Sequence, residues 1–312
     1  MLNQTPSKSD ALFKKYYTYL KFEKNLLANS IEAYLNDVQK LWEFAQEQET
    51  TLLAITRTDI AHFMATLRDL GISARSQARI LSGIKSFYKF LVLDGYVTTN
   101  PTDLIEGPKL GMKLPEVLSV EEINRMIGCI EVDTMEGQRN RAILETLYSC
   151  GLRVSELTGL CISHIYKQEG YILVRGKGEK HRIVPIAPGA IREIELYLYH
   201  RNLQFIKKGN EDYLFISRLG KPLSRVMIFT LIKKYCELAG IQKNVSPHTF
   251  RHSFATHLLE GGANLRAIQL MLGHEKIATT EIYVHLDKHL LKEEILMHHP
   301  RNQRSWGQRR DF

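Results

Sequence analysis

The chain has 312 residues, of which 44% are hydrophobic and 24% charged, and this is enough sequence for two ordinary globular domains. No low-complexity tract and no repeat of fixed period occurs, so the composition excludes a disordered or solenoid protein. The net charge of +8 favours a polyanionic partner, and the basic excess lies after residue 107, where 30 basic residues stand against 22 acidic ones.

The sequence contains no apolar run long enough for a signal peptide or a membrane span, so we expect a cytoplasmic protein with no membrane partner. Its four cysteines are scattered, without a Cys-x-x-Cys pair, and we expect reduced, buried thiols. No metal site or cofactor is predicted.

Residues 1–107 are predicted to form a helical domain. Apolar residues recur at spacings of three and four between about Ser9 and Gln46, which predicts two helices, the second capped by Asn29-Ser30. Thr58-Asp59 is a candidate cap for a third helix, which should end at Gly71.

A fourth helix, predicted from Ser73 to about Leu93, has one apolar and one basic face. Small serines lie between the cations, which permits close approach to a DNA backbone, whereas a solvated basic face is the alternative interpretation. The candidate DNA contacts on this face are Arg75, Arg79, Lys85 and Lys89.

Three prolines and two glycines between residues 100 and 115 predict an interdomain linker at residues 108–115. Residues 116–300 are then predicted to form a second, mostly helical domain with a small sheet. Ser119 and Glu122 form a capping-box pattern, and a helix that reaches Cys150 should stop at Gly151. Further helices are predicted at residues 190–207, 224–239, 247–260, 264–272 and from 279 onward.

Two short β-branched runs, 171–175 and 182–186, flank a glycine-rich turn and predict a β-hairpin. Lys177 in this turn is suited to deliver a proton to a departing oxygen, whereas Lys180 and Arg182 are candidate contacts to backbone phosphates. The Gly-Lys-Gly sequence lacks the Walker spacing, so binding of a nucleoside triphosphate is not predicted.

The densest group of reactive side chains lies between Pro247 and Tyr283. Ser246-Pro247 is a favoured helix start, and His248 and Arg251 should project from one side of its first turn, where unpaired N–H groups favour an anion. The alternatives for the histidines at 248 and 252 are packing, surface exposure or metal ligation, and no third ligand at zinc spacing supports the last of these.

Arg153 lies near the start of a short predicted helix, with Glu156 one turn further on. This arginine is suited to form two hydrogen bonds to phosphate oxygens, while the Glu156 carboxylate binds a neighbouring side chain. An ordinary surface ion pair has the same spacing and is the alternative interpretation. The chain has fourteen tyrosines, but no serine or cysteine triad competes with Tyr283 as a nucleophile, and the cations nearby in sequence would stabilise its charge.

Taken in order, five motifs resemble the tyrosine recombinase, or phage integrase, family. They are Gly-Leu-Arg153-Val-Ser-Glu-Leu, Gly-Lys177-Gly-Glu-Lys, Ser-Pro-His248-Thr-Phe-Arg251-His, Leu-Gly-His274 and Ile-Tyr283. Each motif is short, but five in the right order and spacing, over nearly the whole chain, are specific. The sequences Asn100-Pro101, Pro108-Lys109, Leu114-Pro115 and His298-His299-Pro300-Arg301 resemble the bacterial Xer subfamily in particular.

The resemblance implies a mainly α fold with a small β-sheet. An N-terminal helical, SAM-like core-binding domain (1–107) and a C-terminal α+β catalytic domain (116–300) would close around duplex DNA. Residues 286–298 would form an exchange helix that packs into a neighbouring protomer, with folding back onto its own domain as the alternative. Residues 301–312 are read as a basic tail without an assigned role.

The resemblance also implies a catalytic set. Arg153 and Arg251 would grip the scissile phosphate, with a further hydrogen bond from His274. His248 would help deprotonate Tyr283, which would attack phosphorus and stay linked to the 3′ phosphate, and the hairpin lysine at 177 would protonate the leaving 5′ oxygen. This chemistry requires neither a divalent metal nor ATP.

The implied function is site-specific recombination that resolves chromosome dimers during segregation and cell division. The implied partners are a double-stranded recombination site, a homo- or hetero-tetramer on two DNA duplexes, and a DNA translocase as a further candidate. An integrase of a mobile element, a non-cleaving architectural DNA-binding protein and a type IB topoisomerase are the alternatives.

Overall fold

The computed structural model of the chain describes residues 8–109, 111, 116–176, 181–273 and 287–302, and at 8–10 and 287–289 it describes the backbone alone. The chain divides into two compact units, Met1–Lys113 and Leu114–Phe312. This division falls between residues 113 and 114, within the segment predicted as a linker. No helix among the described residues is long and apolar enough to cross a bilayer.

The first unit is built from helices, as predicted. One turn of π-helix, Tyr19–Glu23, continues the first of them. The helices are α1 (Lys8–Thr18), α2 (Ala28–Glu47), α3 (Arg57–Asp69) and α4 (Ala74–Leu93).

Two of the three helix starts predicted here were wrong. Helix α2 follows Leu27, which makes no side-chain cap, so Asn29 and Ser30 lie inside its first turn. Helix α3 is capped by Thr56, whose hydroxyl accepts a hydrogen bond from the Asp59 amide at 3.3 Å while the Asp59 carboxylate accepts from the Thr56 amide at 2.8 Å. The reciprocal pair, rather than the adjacent Thr58, fixes the start. The third expectation is confirmed, because Ser73 caps α4.

The predicted apolar face of α4 is buried in the core of the first unit. Its members are Ile80, Ile84, Phe87, Tyr88 and Leu91. Helix α2 crosses α4 at Gly83, where an added Cβ atom would lie 2.6 Å from the Asp37 Oδ2 atom. The absence of a side chain at Gly83 is therefore what allows the buried Asp37 carboxylate to lie against α4.

The second unit combines helices with one small sheet. Its helices are α5 (Val120–Gly128), α6 (Met135–Cys150), α7 (Val154–Thr158), α8 (Pro188–Arg201), α9 (Arg225–Leu238), α10 (Pro247–Glu260), α11 (Leu265–Leu272) and α12 (Asp287–His298). The antiparallel strands, in the order β1-β2-β3, are β1 (Ile165–Tyr166), β2 (Tyr171–Arg175) and β3 (His181–Pro185).

The hairpin of β2 and β3 was predicted, and the two-residue strand β1 was not. In the hairpin Ile172 pairs with Val184 and Val174 pairs with Arg182. Ile172, Val174 and Val184 are all buried, so Arg182 lies on the face of the hairpin that is turned toward the protein. Ile183, which lies between Arg182 and Val184 in β3, points to the opposite face of the hairpin and is half-buried.

Helix α6 runs through the core of the second unit and is buried along most of its length. It ends where the sequence predicts, because Gly151 adopts φ +57°, a left-handed conformation that favours glycine, and its amide bonds to the Leu147 carbonyl. A Cβ atom at Gly151 would lie 2.4 Å from the ring of Phe254 on α10. The tight stop of α6 thus brings the following residues close to α10.

Helix α12 packs against its own unit in the single chain. Leu291 and Ile295 are buried in a cluster with Phe254, Leu258 and Met271. Two further leucines of the predicted apolar stripe, at 290 and 296, remain exposed. Exchange of this helix between protomers stays a prediction.

Arg301, which the sequence assigned to a basic tail, is instead part of the folded unit. Its side chain is buried in the short helical turn Pro300–Asn302, and its Nε donates to the Glu145 Oε2 atom at 2.8 Å. Its Nη1 donates to Asn124 Oδ1 at 2.8 Å. A charge is costly to bury without partners, and these two contacts hold Arg301 in the folded unit.

Candidate active site

The ends of several elements meet around one buried carboxylate, Glu156 of α7. Arg153 precedes α7 directly after the stop of α6, and Arg182 comes from strand β3. Arg251 lies in the second turn of α10, which begins at Pro247 and is capped by Ser246, as predicted. Local sequence signals therefore place each arginine on a well-defined element end or strand.

Glu156 holds these arginines together. Its Oε1 atom accepts hydrogen bonds from the Nη1 atoms of Arg153 and Arg182, each at 2.7 Å. Its Oε2 atom accepts from Arg182 Nη2 at 2.8 Å and from the Arg153 backbone amide at 2.8 Å. The Nη1 atom of Arg251 lies 3.9 Å from the same oxygen. The Arg153–Glu156 pair is thus a component of a site, and not an isolated surface pair.

The C-terminal end of α11 supplies the second set of partners. The carbonyl of Met271 accepts from Arg182 Nε at 2.7 Å, and that of Gly273 accepts from Arg153 Nη2 at 3.2 Å. Arg251 Nη2 donates to the carbonyl of Leu272, and its Nη1 donates to that of Gly151 at 2.8 Å. The carbonyls of Met271 and Leu272 are the last of α11 and have no partner within the helix, so the arginines complete its end.

The environment shifts the pKa values of the central groups. Burial acts to raise the pKa of the Glu156 carboxyl, but hydrogen bonds and charge from Arg182 and Arg153 outweigh it and hold that pKa below its ordinary value. Burial, together with the neighbouring charge of Arg153, lowers the pKa of Arg251 to about 10. At neutral pH the Glu156 carboxylate and the Arg251 guanidinium are therefore both charged.

The site consequently carries an excess of positive charge. Three guanidinium groups share one carboxylate, which leaves two positive charges that no acidic side chain in the described part of this cluster neutralises. Arg153 is 39% exposed, whereas the side chains of Arg182 and Arg251 are 14% and 11% exposed. Such a partly desolvated cationic centre is suited to an anion with several oxygens, such as a phosphate.

A cleft of about 420 Å³ opens beside Arg251. His248 lies on its wall and is exposed, and His252 is half-buried one turn further along α10. The remaining lining residues include Glu116 and Leu272. His248 and Arg251 therefore share one side of α10, and both face a cleft open to a ligand. Among the described residues, no three His, Cys, Asp or Glu side chains lie together as a metal site would require.

Four of the predicted site residues lie outside the described residues: Lys177, Lys180, His274 and Tyr283. Their roles stay predictions. The structure brings Arg153 and Arg251 together at Glu156, and His248 lies on the cleft beside Arg251.

The basic face of α4 is partly engaged within the first unit. Arg79 Nη1 donates to the buried Asp37 Oδ2 at 2.7 Å, and Lys85 Nζ donates to the Ile105 carbonyl at 2.7 Å. Arg75 and Lys89 are exposed on the same helix. DNA contact by these four cations stays a prediction, with a structural role added for two of them.

The sequence analysis missed one member of the cluster. The Arg182 guanidinium is bound to Glu156 and to the Met271 carbonyl, a role that the sequence did not indicate, and the phosphate contact proposed for it stays a prediction. Its position in the strand contained the signal, because Arg182 alternates with the buried Val184 in β3. The carbonyls of α11 carry no sequence signal, since any residue type provides them.

Comparison with known proteins accounts for this arrangement. Residues 116–289 match the model of the phage integrase family, and residues 13–95 match the N-terminal SAM-like domain of phage integrases. The chain belongs to the phage integrase family. The mainly α fold, with a SAM-like first domain and a catalytic second domain carrying a small antiparallel sheet, is confirmed.

Relatives and solved structures agree with this assignment. Tyrosine recombinase XerD of Staphylococcus haemolyticus (strain JCSC1435) is 41% identical over 293 residues, which cover 94% of this chain and 99% of the relative. Tyrosine recombinase XerD of Staphylococcus aureus (strain Mu50 / ATCC 700699) is 39% identical with the same coverage. The XerH site-specific recombinase, bound to palindromic difH substrate in a post-cleavage complex, is 25% identical with a TM-score of 0.70, and the match covers 95% of this chain and 86% of that one.

A lambda integrase dimer bound to a COC′ core site, at 19% identity and a TM-score of 0.67 over 87% of this chain and 98% of that one, shares the fold. The chain is therefore a site-specific tyrosine recombinase, an enzyme that cuts and rejoins DNA. Its family performs this reaction without a metal ion or ATP.

Proposed function

We propose that this recombinase cleaves DNA through Tyr283 and that the arginine cluster around Glu156 holds the scissile phosphate. The observation that carries the proposal is the excess of two positive charges at a partly buried centre beside an open cleft. A phosphodiester carries one negative charge, and attack by a phenolate adds a second. The charge of the site thus matches the transition state better than the ground state, which is the condition for catalysis.

In this proposal Arg153 and Arg251 bind the non-bridging oxygens. Arg153 presents the more exposed guanidinium, and Arg251 is pre-oriented by the Gly151 and Leu272 carbonyls. Donors that are fixed before the reaction do not have to reorganise as charge develops, and each well-placed donor contributes about 3 to 4 kcal/mol in comparable enzymes. The buried Glu156 keeps the two cations close together despite their repulsion.

The proton transfers are assigned to groups at the edge of the cluster. A tyrosine has a pKa of about 10 in water, so Tyr283 needs a base or a cationic field at neutral pH. His248, exposed on the cleft wall, would help remove the phenolic proton. Lys177 would protonate the leaving 5′ oxygen, and His274 would donate a further hydrogen bond to the phosphate. The new phosphotyrosyl bond replaces the broken phosphodiester bond, which can re-form when a 5′ hydroxyl attacks.

We further propose that the enzyme acts in the cytoplasm on a short bipartite chromosomal site, where it resolves chromosome dimers. The high identity to XerD recombinases supports this assignment, as does the likeness to XerH in complex with a palindromic difH substrate. The assembly would be a tetramer of this chain, alone or with a related recombinase, on two duplexes. A DNA translocase remains a candidate activator.

A nicked duplex that releases a short fragment after cleavage tests the proposed chemistry. The wild-type protein should form a covalent protein–DNA adduct that survives denaturation, because the released fragment cannot religate. Tyr283→Phe should bind the same duplex and form no adduct, because it lacks the nucleophilic oxygen.

The matched control is Tyr199→Phe, which changes a tyrosine that is 70% exposed on α8 and should leave adduct formation unchanged. A denaturation-resistant adduct with the Tyr283→Phe variant would show that another residue is the nucleophile. Failure of the wild-type protein to form an adduct on any candidate chromosomal site would refute the proposed substrate.

A further inference from the structure

Arg182 of β3 belongs to the arginine cluster, yet no step of the proposed chemistry uses it. We propose that Arg182 is a positioning residue for strand cleavage. Its guanidinium fixes Glu156 and the C-terminal end of α11 relative to each other, so that Arg153 and Arg251 keep the spacing that binds the scissile phosphate. This inference rests on the proposed function, because it concerns the same site.

The hydrogen bonds of Arg182 leave no edge of its guanidinium for a bidentate phosphate contact. The end of the group forks onto both oxygens of Glu156, at 2.7 and 2.8 Å. Its Nε atom, on the side edge, donates to the Met271 carbonyl at 2.7 Å. The side chain is only 14% exposed. Arg182 is thus turned into the protein, whereas a residue that contacts the DNA backbone must be turned outward.

The last two carbonyls of α11 and that of the following Gly273 each bond to a different arginine. Met271 accepts from Arg182, Leu272 accepts from Arg251, and Gly273 accepts from Arg153. The end of α11 is therefore bound to all three arginine side chains, and its position depends on theirs. Its exposed carbonyls and the negative end of its dipole favour cations at this point.

The packing beside Gly273 makes the position of Arg182 specific. Gly273 adopts φ +67° and ends α11, and a Cβ atom there would lie 3.1 Å from Arg182 Cδ and 3.3 Å from its Nε. The turn lies flush against the arginine side chain. Movement of Arg182 would remove a bidentate partner of Glu156 and a packing partner of this turn at the same time.

Lysine is the informative replacement, because it keeps the positive charge and loses the planar fork. A contact to a single phosphate tolerates this change, since lysine binds phosphate as a point charge. A bidentate link between Glu156 and a backbone carbonyl does not tolerate it. Displacement of reacting groups by about 1 Å lowers enzymatic rates by about 100-fold.

The test measures single-turnover adduct formation on the nicked duplex at saturating protein, together with the equilibrium affinity for the uncleaved duplex. Arg182→Lys should form the adduct about 100-fold more slowly while its DNA affinity stays at the wild-type value. The control is Arg192→Lys, an exposed arginine on α8, which should change neither quantity. Cleavage at the wild-type rate by Arg182→Lys would overturn the inference, as would a parallel loss of DNA affinity.

A second measurement separates positioning from direct contact. Arg182→Gln removes the charge, and a lost phosphate contact would reduce the slope of log affinity against log salt concentration by about 0.9. The inference requires an unchanged slope. The double variant Arg182→Lys with Glu156→Gln should cleave no more slowly than Glu156→Gln alone, because both residues act through the same carboxylate. If the double variant cleaved more slowly than Glu156→Gln, by the product of the two single effects, the inference would be overturned. Wild-type adduct formation reports on the proposed function separately.

Discussion

At the scale of single residues, the chemistry of this recombinase depends on what burial does to charged groups. Arg251 is charged but poorly solvated, with its pKa lowered to about 10 by burial and by Arg153. A bound phosphate would relieve that cost, which a water-exposed arginine does not have. The site is therefore prepared for an anion before DNA arrives, and Glu156 is the residue that makes this arrangement stable enough to exist.

His299 shows the same effect in a structural role. It is fully buried near Arg301 and His257, and its Nε2–H donates to the Tyr148 carbonyl at 3.2 Å. Its Nδ1 accepts from the Arg301 amide at 3.1 Å. Both ring nitrogens are thus committed to the neutral form, and burial lowers the pKa of His299 to about 3.

This titration predicts how stability depends on pH. Between pH 6.5 and about 3 the unfolded chain binds a proton at His299 that the folded chain does not, so the stability it contributes is lost as the pH falls through this window. From pH 7.5 to 5.5 the loss should be about 1 kcal/mol. His299→Gln should be less stable at pH 7.5 and should lose correspondingly less on acidification, as measured by chemical denaturation followed in the near-ultraviolet circular dichroism.

The matched control for this prediction is His200→Gln, which changes a partly exposed histidine on α8 and should keep the wild-type pH dependence. His257 also has a lowered pKa through burial, so part of the dependence remains in every variant. An identical pH dependence in His299→Gln and wild type would contradict the assignment.

At the scale of elements, helix ends and close helix crossings position the functional groups. The stop of α6 at Gly151 and the end of α11 at Gly273 both use left-handed glycines. In the first unit α2 crosses α4 closely at Gly83. This crossing places Asp37 of α2 beside Arg79 of α4, with which it forms an ion pair. At Gly83 and Gly151 the close approach is possible because glycine has no Cβ atom.

Gly83→Ala should therefore destabilise the first unit. Intrinsic helix propensity alone would stabilise α4 by about 1 kcal/mol. The new methyl group would lie 2.6 Å from Asp37 Oδ2 and 2.9 Å from Asp37 Cβ, and such overpacking costs about 1 to 3 kcal/mol. The fluorescence of Trp42, on α2, reports the unfolding of this unit.

Ser82→Ala is the control, because Ser82 is exposed on the same helix and should change stability by no more than about 0.5 kcal/mol. Greater stability of Gly83→Ala than of wild type would mean that α2 and α4 can separate without cost.

At the scale of the whole molecule, the two units have separate cores. Among the described residues, one hydrophobic cluster runs from Leu12 to Leu91 and the others lie between Leu118 and Ile295. None of these clusters mixes residues from both units. Each unit thus has the apolar interior that independent folding requires.

A fragment of residues 1–113 should consequently fold by itself. It should unfold cooperatively, and its Trp42 transition should fall at the temperature found in the full chain. A fragment that lacks a cooperative transition, or one whose transition moves far below that of the full chain, would show that the first unit depends on the second. The complementary fragment, 114–312, should retain the near-ultraviolet signal of the catalytic core.

The sequence by itself determined the helical first unit, the hairpin, the start of α10 and the stop of α6, because these follow from local signals such as caps, glycines and apolar spacing. It also indicated Arg153, His248 and Arg251 as candidate site residues, since each lies in a motif of consecutive residues. The predicted starts of α2 and α3 were wrong, because α2 begins after Leu27 without a side-chain cap and the reciprocal Thr56–Asp59 pair caps α3 before Thr58.

Only the tertiary structure decided how the site is joined. Arg182 is joined to Glu156, and Arg301 is buried against Glu145 although the sequence predicted a tail there, because burial depends on elements distant in sequence. The bonds to the last carbonyls of α11 join residues about 90 to 120 positions apart in two of the three cases, at Arg182 and Arg153. No local pattern encodes such a contact, since every residue carries a backbone carbonyl.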